Sequence, residues 1–363
     1  MNDEKRFTHV FSFVRSLENN NKAVWTDRYG NTSVIIGKEL LSELLQEWKR
    51  RPQKYVVLST PIIKNKINIP LNYMFERGSV KDVSKILSIG GAREHNIAKE
   101  FINNKQNKVI EFITVPIPLS NDSFGTNRFS PRYGSVMTPS LESTYPSKII
   151  IDLDILINIP VYLNIRGIGE IVGLYYSIRD YYSVRKLSPP KKAINNIEYD
   201  ICRLIEALRI RKNWLKLLAI NLIKKCFIMR VFEDHQIGAG GDHLIAYGIE
   251  HYLKSTNKPF EDFSHGRLVY LGLVVMASIF PEWEYGFFSL KNLINVGKNL
   301  NLIDHKDMEL LVYMIRKGII PIFAIKTRLQ RPTSLSAISQ ARIRKSIGRL
   351  EECIKKHERG GIR

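Results

Sequence analysis

Gly238-Ala-Gly-Gly-Asp-His243-Leu-Ile-Ala-Tyr-Gly-Ile-Glu250, followed by His265-Gly266, is the stretch on which the reading of this chain turns. A glycine-rich loop runs into a helix. His243 falls in that helix's first turn, while Ile245, Ile249 and Leu253 recur at spacing four and give it one apolar face. His265 opens a second apolar helix, Leu268 through Phe280. Two imidazoles at the starts of neighbouring helices can point at one spot, and neutral imidazole is a common ligand of zinc, iron and nickel. Such a site ordinarily needs a third protein ligand, often a carboxylate, with one position left open. The spacing of the two histidines is weak evidence by itself, and no HExxH motif occurs to strengthen it.

The rest of the chain supplies the context. Its 363 residues are 44% hydrophobic, enough for two globular domains with cores of their own. No run of roughly eighteen apolar residues occurs, so no membrane span is expected. Met1-Asn-Asp-Glu-Lys-Arg6 lacks the apolar core of a signal peptide. Cys202, Cys226 and Cys353 are isolated, which fits a reducing compartment and argues against a disulfide framework or a structural zinc site. A cytoplasmic location is therefore expected. The net charge of +20 raises nucleic acid or a membrane surface as a partner. The lysines, however, are spread along the whole chain, and nucleic acid is not expected. The densest basic region, Arg342 to Lys356, alternates with Ile343, Ile347, Leu350 and Ile354. It reads as an amphipathic helix with a solvated face, polyanion contact being the other reading.

Taken in order, Ser33–Ile36 reads as a strand, Gly37–Leu45 as a helix and Tyr55–Leu58 as a buried strand ended by Ser59-Thr60-Pro61. Residues 62–85 are polar and irregular apart from a short helix. Ile86–Ile89 is a further strand, leading through Gly90-Gly-Ala-Arg93 into a helix that lasts to Phe101. Val109–Val115 and Lys148–Asp152 complete the strands. This alternation predicts a parallel α/β sheet. From about residue 160 the patterns are nearly all helical, which puts an α/β domain at 1–160 and a helical domain at 161–363. No internal repeat or low-complexity segment is present.

Three further constellations bear on chemistry. Ile89-Gly90-Gly91-Ala92 follows a strand and opens a helix, where small residues let backbone N–H groups approach a pyrophosphate. A tight turn between strand and helix is the alternative. Pro116-Ile-Pro-Leu-Ser120-Asn-Asp122-Ser-Phe-Gly-Thr126-Asn-Arg128 follows the next strand and supplies hydroxyls, an acid and an arginine. Both loops fall at C-terminal strand ends, where open α/β sheets bind ligands. Arg166-Gly-Ile-Gly-Glu170 begins a helix with an acid in its first turn, a position the helix dipole favours in any case.

The order of these motifs resembles the dehydroquinate synthase-like superfamily, which also holds glycerol dehydrogenases, iron-containing alcohol dehydrogenases and sn-glycerol-1-phosphate dehydrogenases. The resemblance spans roughly residues 30–330 and five motifs in sequence. It implies an α/β N-terminal Rossmann-like domain with an all-α C-terminal domain, NAD or NADP, and one divalent metal (zinc, iron or nickel) in a cleft between them. It makes Glu170, His243 and His265 the metal ligands. Gly90, Gly91, Ala92, Thr114, Ser120, Ser123 and Thr126 become the cofactor-binding residues. Asp122 would orient a substrate hydroxyl, with His235 or Tyr247 relaying the proton. A homodimer and a small phosphorylated polyol or sugar substrate are the expected partners, with Arg128, Arg166 and Arg267 as candidate phosphate holders.

Within the superfamily, Asp122-Ser-Phe-Gly-Thr126-Asn and Gly167-Ile-Gly-Glu170-Ile-Val-Gly173 resemble the sn-glycerol-1-phosphate dehydrogenases most. The chain departs from the pattern at several places. Glu170 stands where that branch has Asp, and Gly173 stands where dehydroquinate synthases carry a lysine. Ala92 replaces a third glycine, Tyr247 a further histidine, and Arg267 the acid after His-Gly. A metal-dependent dehydrogenase is the first expectation, a sugar-phosphate cyclase the second, and a binding protein without turnover the third. No acid follows the strand at 55–58, so NADPH is expected to be tolerated.

Overall fold

The computed structural model describes residues 2–50, 55–59, 84–104, 111–130, 132–133, 136–137, 141–256, 264–319 and 333–360. The expected short helix within 62–85, the end of the Ser59-Thr60-Pro61 stop and the first two residues of the strand at 109 lie outside them. The chain divides into two compact units. One comprises Lys5–Asn164 with Ile210–Val231, and the other Met1–Glu4, Ile165–Arg209 and Phe232–Arg363.

The first unit is built on a six-stranded sheet. Its strands are β1 (Lys22–Asp27), β2 (Gly30–Gly37), β3 (Tyr55–Ser59), β4 (Lys85–Gly90), β5 (Glu111–Pro116) and β6 (Lys148–Asp152), in the order β1-β2-β6-β5-β4-β3. All neighbours are parallel except β1 and β2. The five strands read from the sequence are all present, and β1 adds an antiparallel edge. Its period-two burial, with Ala23 and Trp25 inward, matches a strand that is half buried. Trp25 packs on Phe13 of the first helix, α1 (Asp3–Asn20), and on Phe227, and Arg230 reaches Asp27 with two nitrogens at 2.6 Å. Those contacts are why the helix containing Phe227 and Arg230, Trp214–Phe232, groups with the sheet although it lies far along the chain.

The helix expected over 37–45 runs instead as α2, Leu40–Arg50. Gly37 still pairs with Asp152 in the sheet, and Glu39 turns the chain with φ 56. The buried Asp152 carboxylate then accepts the Leu41 N–H at 3.0 Å and also caps the short helix Leu153–Ile157. The next helix, α3 (Ala92–Asn104), starts directly after Gly91.

The second unit is helical: every regular element among its described residues is a helix. Three matter most, α6 (Gly167–Val184), α9 (Gly241–Ser255) and α10 (His265–Ile279). (Leu153–Ile157 and Val161–Ile165 are α4 and α5, Lys191–Arg209 is α7, and Trp214–Phe232 is α8.) The basic C-terminal helix Gln340–Gly360 buries Ile343 and Leu350, and Arg349 donates to the carbonyls of Ala277 and Ser278. No described helix is long and apolar enough to cross a membrane.

Burial in the sheet unit has a pH consequence. His95, wholly buried near the start of α3, lies 2.9 Å from Ser88 Oγ, and burial depresses its pKa from 6.5 to about 3. The unfolded chain therefore binds one more proton than the folded chain between those limits. Stability contributed by the neutral ring is complete above pH 6.5 and is lost as pH falls toward 3, by about 1.4 kcal/mol per pH unit at the steepest. Chemical denaturation across this range should show a shallower acid-side slope for His95→Gln than for the wild type; parallel slopes would mean that His95 protonates in the folded chain.

Candidate metal centre

Glu170, His243 and His265 come together at the starts of α6, α9 and α10. Their donor atoms lie within 4.8 Å of one another, and among the described residues they are the group of His, Cys, Asp and Glu side chains able to hold a metal ion. Glu170 Oε2 is 3.3 Å from His243 Nε2, and Oε1 is 3.4 Å from His265 Nε2. Glu170 is fully buried and His243 nearly so, while the His265 side chain keeps 29% of its surface exposed. The site thus has a closed back and one open side.

Backbone contacts set this convergence. A Cβ on Gly169 would lie 1.9 Å from the Gly266 carbonyl oxygen, and one on Gly272 would lie 2.1 Å from the Asp242 carbonyl oxygen. Helices approach this closely only where side chains are missing. Each contact adjoins a donor: Gly169 precedes Glu170, Gly266 follows His265 and Asp242 precedes His243.

Behind His243 stands a second set of polar residues that sequence reasoning missed. Asp242, fully buried, holds His243 Nδ1 at 3.0 Å and accepts from Ser177 Oγ at 2.9 Å. Ser177 Oγ in turn accepts the Gly240 N–H, and Asp180 accepts the Gly241 N–H, which fixes the start of α9. Asp180 also takes the Ser334 N–H, and burial raises its pKa. A signal existed: Gly173, Ser177 and Asp180 share the face of α6 that carries Glu170. A Cβ at Gly173 would meet Asp242 Oδ2 at 2.7 Å, so this glycine leaves the space that the carboxylate fills.

Tyr247 reaches the same place. Its ring stacks on His265 at 5.8 Å with an interplanar angle of 19°, and lies 6.4 Å from His243. His235 does not belong to the donor cluster; it opens a short 3-10 turn capped by Asp234. Arg267 is engaged elsewhere, with Nη2 at 2.6 Å from Asp307 and Nε donating to the Leu302 carbonyl.

The expected cofactor residues lie in the sheet unit, where the two loops adjoin. Gly90 pairs with Pro116 in the sheet, and the Ile117 N–H donates to the Gly90 carbonyl at 2.7 Å. Gly90 has φ 151, a conformation suited to glycine. At Gly91 a Cβ would meet nothing nearer than 3.9 Å, so packing alone does not call for a glycine there. Ala92 begins α3. The hydroxyls of β5 and of the loop after it find partners within the same segment. Thr114 Oγ1 donates to the Phe124 carbonyl, Ser123 bonds Asn121 Oδ1 through its N–H and its hydroxyl, and Ser120 Oγ accepts from Asn121 Nδ2.

Two buried lysines organise this loop and were not foreseen. Lys99 Nζ reaches the carbonyls of Ser123 and Arg128 and, at 3.4 Å, Thr126 Oγ1; burial pushes its pKa down to about 7, against the attraction of Asp122. Lys225 Nζ lies 2.9 Å from Asp122 Oδ2. Arg128 pairs with Glu142 at 2.6 Å. Buried charges inside the otherwise apolar helix Trp214–Phe232 were the available clue.

Comparison with protein-family models finds no match, and none is found among curated proteins either. Solved structures do match in fold. A probable glycerol dehydrogenase from Sinorhizobium meliloti 1021 aligns with a TM-score of 0.63 at 14% identity, over 89% of this chain and 97% of that one. Glycerol dehydrogenase from Schizosaccharomyces pombe gives 0.59 at 14% identity, over 91% of each chain. A 2-deoxy-scyllo-inosose synthase gives 0.52 at 13% identity, over 81% of this chain and 88% of that one. The chain therefore has the fold shared by iron-containing alcohol dehydrogenases and dehydroquinate synthase-like proteins, a class with an N-terminal α/β domain and a C-terminal helical domain.

The glycine contacts generate a paired test. Gly169→Ala should lower stability by about 3 kcal/mol, because a backbone oxygen cannot rotate away. Gly348→Ala should instead raise it by about 0.5–1 kcal/mol, since Gly348 lies within the C-terminal helix and a Cβ there meets nothing within 4 Å. Thermal unfolding of the two variants decides the matter, and a wild-type-like Gly169→Ala would refute the close helix crossing.

Proposed function

We propose that this chain is a metal-dependent, NAD(P)-linked oxidoreductase acting on a polyol phosphate. The observation that carries the proposal is the convergence of Glu170, His243 and His265 from three helix starts, with Asp242 holding one imidazole from behind. The donor set fits a small divalent ion. Each oxygen of Glu170 lies close to one imidazole, Oε2 at 3.3 Å from His243 Nε2 and Oε1 at 3.4 Å from His265 Nε2, and all three donors lie within 4.8 Å of one another, a spacing that small adjustments convert to ligand bonds of about 2.0–2.2 Å. Two carboxylates buried together, Glu170 and Asp242, also call for positive charge beside them.

A divalent ion held there supplies Lewis-acid stabilisation of charge on a substrate oxygen, and NAD(P) supplies the hydride acceptor. The protein's own residues do the rest. Asp242 accepts the His243 Nδ1 proton and so leaves the Nε2 lone pair facing the site. Tyr247, against both imidazoles, is assigned to proton relay at its hydroxyl, with His235 as the other candidate. Asp122, held by Lys225, is assigned to orienting a neighbouring substrate hydroxyl. Support for a phosphorylated substrate comes from the motif likeness to sn-glycerol-1-phosphate dehydrogenases. Arg128 and Arg267 have carboxylate partners of their own and lend it little.

A sugar-phosphate cyclase is the second reading, favoured by glutamate at position 170 and by the shared fold of the inosose synthase. Gly173 weighs against it, because the lysine of dehydroquinate synthases would collide with Asp242.

The test follows nicotinamide absorbance and phosphate release together across polyols, polyol phosphates and ketose phosphates. Net NAD(P)H change identifies the oxidoreductase, while phosphate release without it identifies the cyclase. Metal is read separately. Added zinc or nickel should raise the melting temperature of the untagged wild type. His243→Ala should abolish that rise and most bound metal, and Asp242→Asn should weaken metal affinity by about 10–100-fold. Equal metal content in wild type and His243→Ala would end the proposal.

A further inference from the structure

The amide that a nucleotide diphosphate would take at the Gly90–Gly91 turn is already in use. The Gly91 N–H donates to Glu94 Oε2 at 2.9 Å. The Glu94 side chain folds back over the turn so closely that a Cβ on Gly90 would meet its Oε2 at 2.6 Å and its Cγ at 2.7 Å. Glu94 is only 7% exposed, so its carboxylate is packed into the turn and does not trail in solvent. It lies in the first turn of α3, a 13-residue helix whose N-terminus attracts one anion. That anion is at present the chain's own.

We propose that the Glu94 carboxylate is a built-in competitor for the diphosphate of NAD(P), and that this side chain determines how tightly the turn holds a dinucleotide. The inference rests on the reading of the turn as the nucleotide site. An incoming diphosphate must displace an acceptor from the Gly91 amide and also approach a like charge in a partly dehydrated setting. Arg93, exposed at the preceding position, offers the displaced carboxylate a partner outside the turn. A helix cap alone is the competing account, since an acid at the third helical position commonly bonds back to the residue before the helix. Charge separates the two accounts: a cap needs only an acceptor oxygen, whereas competition needs the negative charge.

NADH and NADPH are titrated by nicotinamide fluorescence into the wild type, Glu94→Gln and Glu94→Ala, with circular dichroism confirming the fold. Adenosine, which lacks the diphosphate, is titrated as the control. Glu94→Gln keeps an oxygen for the Gly91 N–H and is expected to bind NADH about tenfold more tightly, with adenosine binding unchanged. Glu94→Ala should shift the same way, which keeps the test open if one variant folds poorly. Equal or weaker NADH binding by a folded variant overturns the proposal and leaves the nucleotide reading standing, because the wild type still binds. Absence of NADH and NADPH binding in all three proteins removes the nucleotide reading and the proposal with it.

Discussion

Backbone oxygen against glycine is the interaction on which the candidate centre depends. Gly169 lies against the Gly266 carbonyl and Gly272 against that of Asp242, at separations no Cβ would permit. Side chains can adjust by rotation, but backbone-to-backbone contact fixes helix position directly. Because the contacts adjoin Glu170, His265 and His243, they also fix where three donors begin. Three donors from separate helix starts need no flexible linkage to converge once the helices are locked in this way.

Locking the helices brings acids into the interior. Glu170, Asp180 and Asp242 are all buried in one unit, and each is handled differently. Asp180 is satisfied by amides of Gly241 and Ser334. Asp242 is held between Ser177 and His243. Glu170 faces two imidazoles, which balance its charge only if protonated or if they share it with a cation. The sheet unit solves the opposite problem, burying Lys99 and Lys225 and meeting them with loop carbonyls and Asp122. The sequence-level excess of +20 is therefore not wholly a surface property.

Much of this was legible beforehand. The strands at 86–89 and 148–152 and the helices opened by Glu170, His243 and His265 follow from periodicity and glycine punctuation, which are local. The meeting of the three donors was accessible only through a resemblance of motif order, since no local rule brings residues so far apart together. Asp242 was in view beside His243 yet carried no signal of its own, because its role depends on Gly173 and Ser177 on another helix. Strand β1 was missed because Lys22, Val24 and Thr26 point outward and dilute its alternation. The helix at 37–45 was placed too early because the sheet pairing of Gly37 and the turn at Glu39 are not visible in an apolar pattern.

Positions where the chain differs from the motifs it resembles acquire meaning together. Gly173, Asp242 and His243 form one arrangement: the missing side chain on α6 makes the space, and the acid that fills it lies 3.0 Å from the imidazole Nδ1. A side chain at 173 would displace the acid from its present place. Tyr247 stands on the open side, where its phenol ring stacks against His265. A phenol offers no imidazole nitrogen, so Tyr247 lies beside the cluster without adding to its three candidate donors. The three candidate donors therefore stand together, with a carboxylate behind one imidazole and a phenol ring against the other.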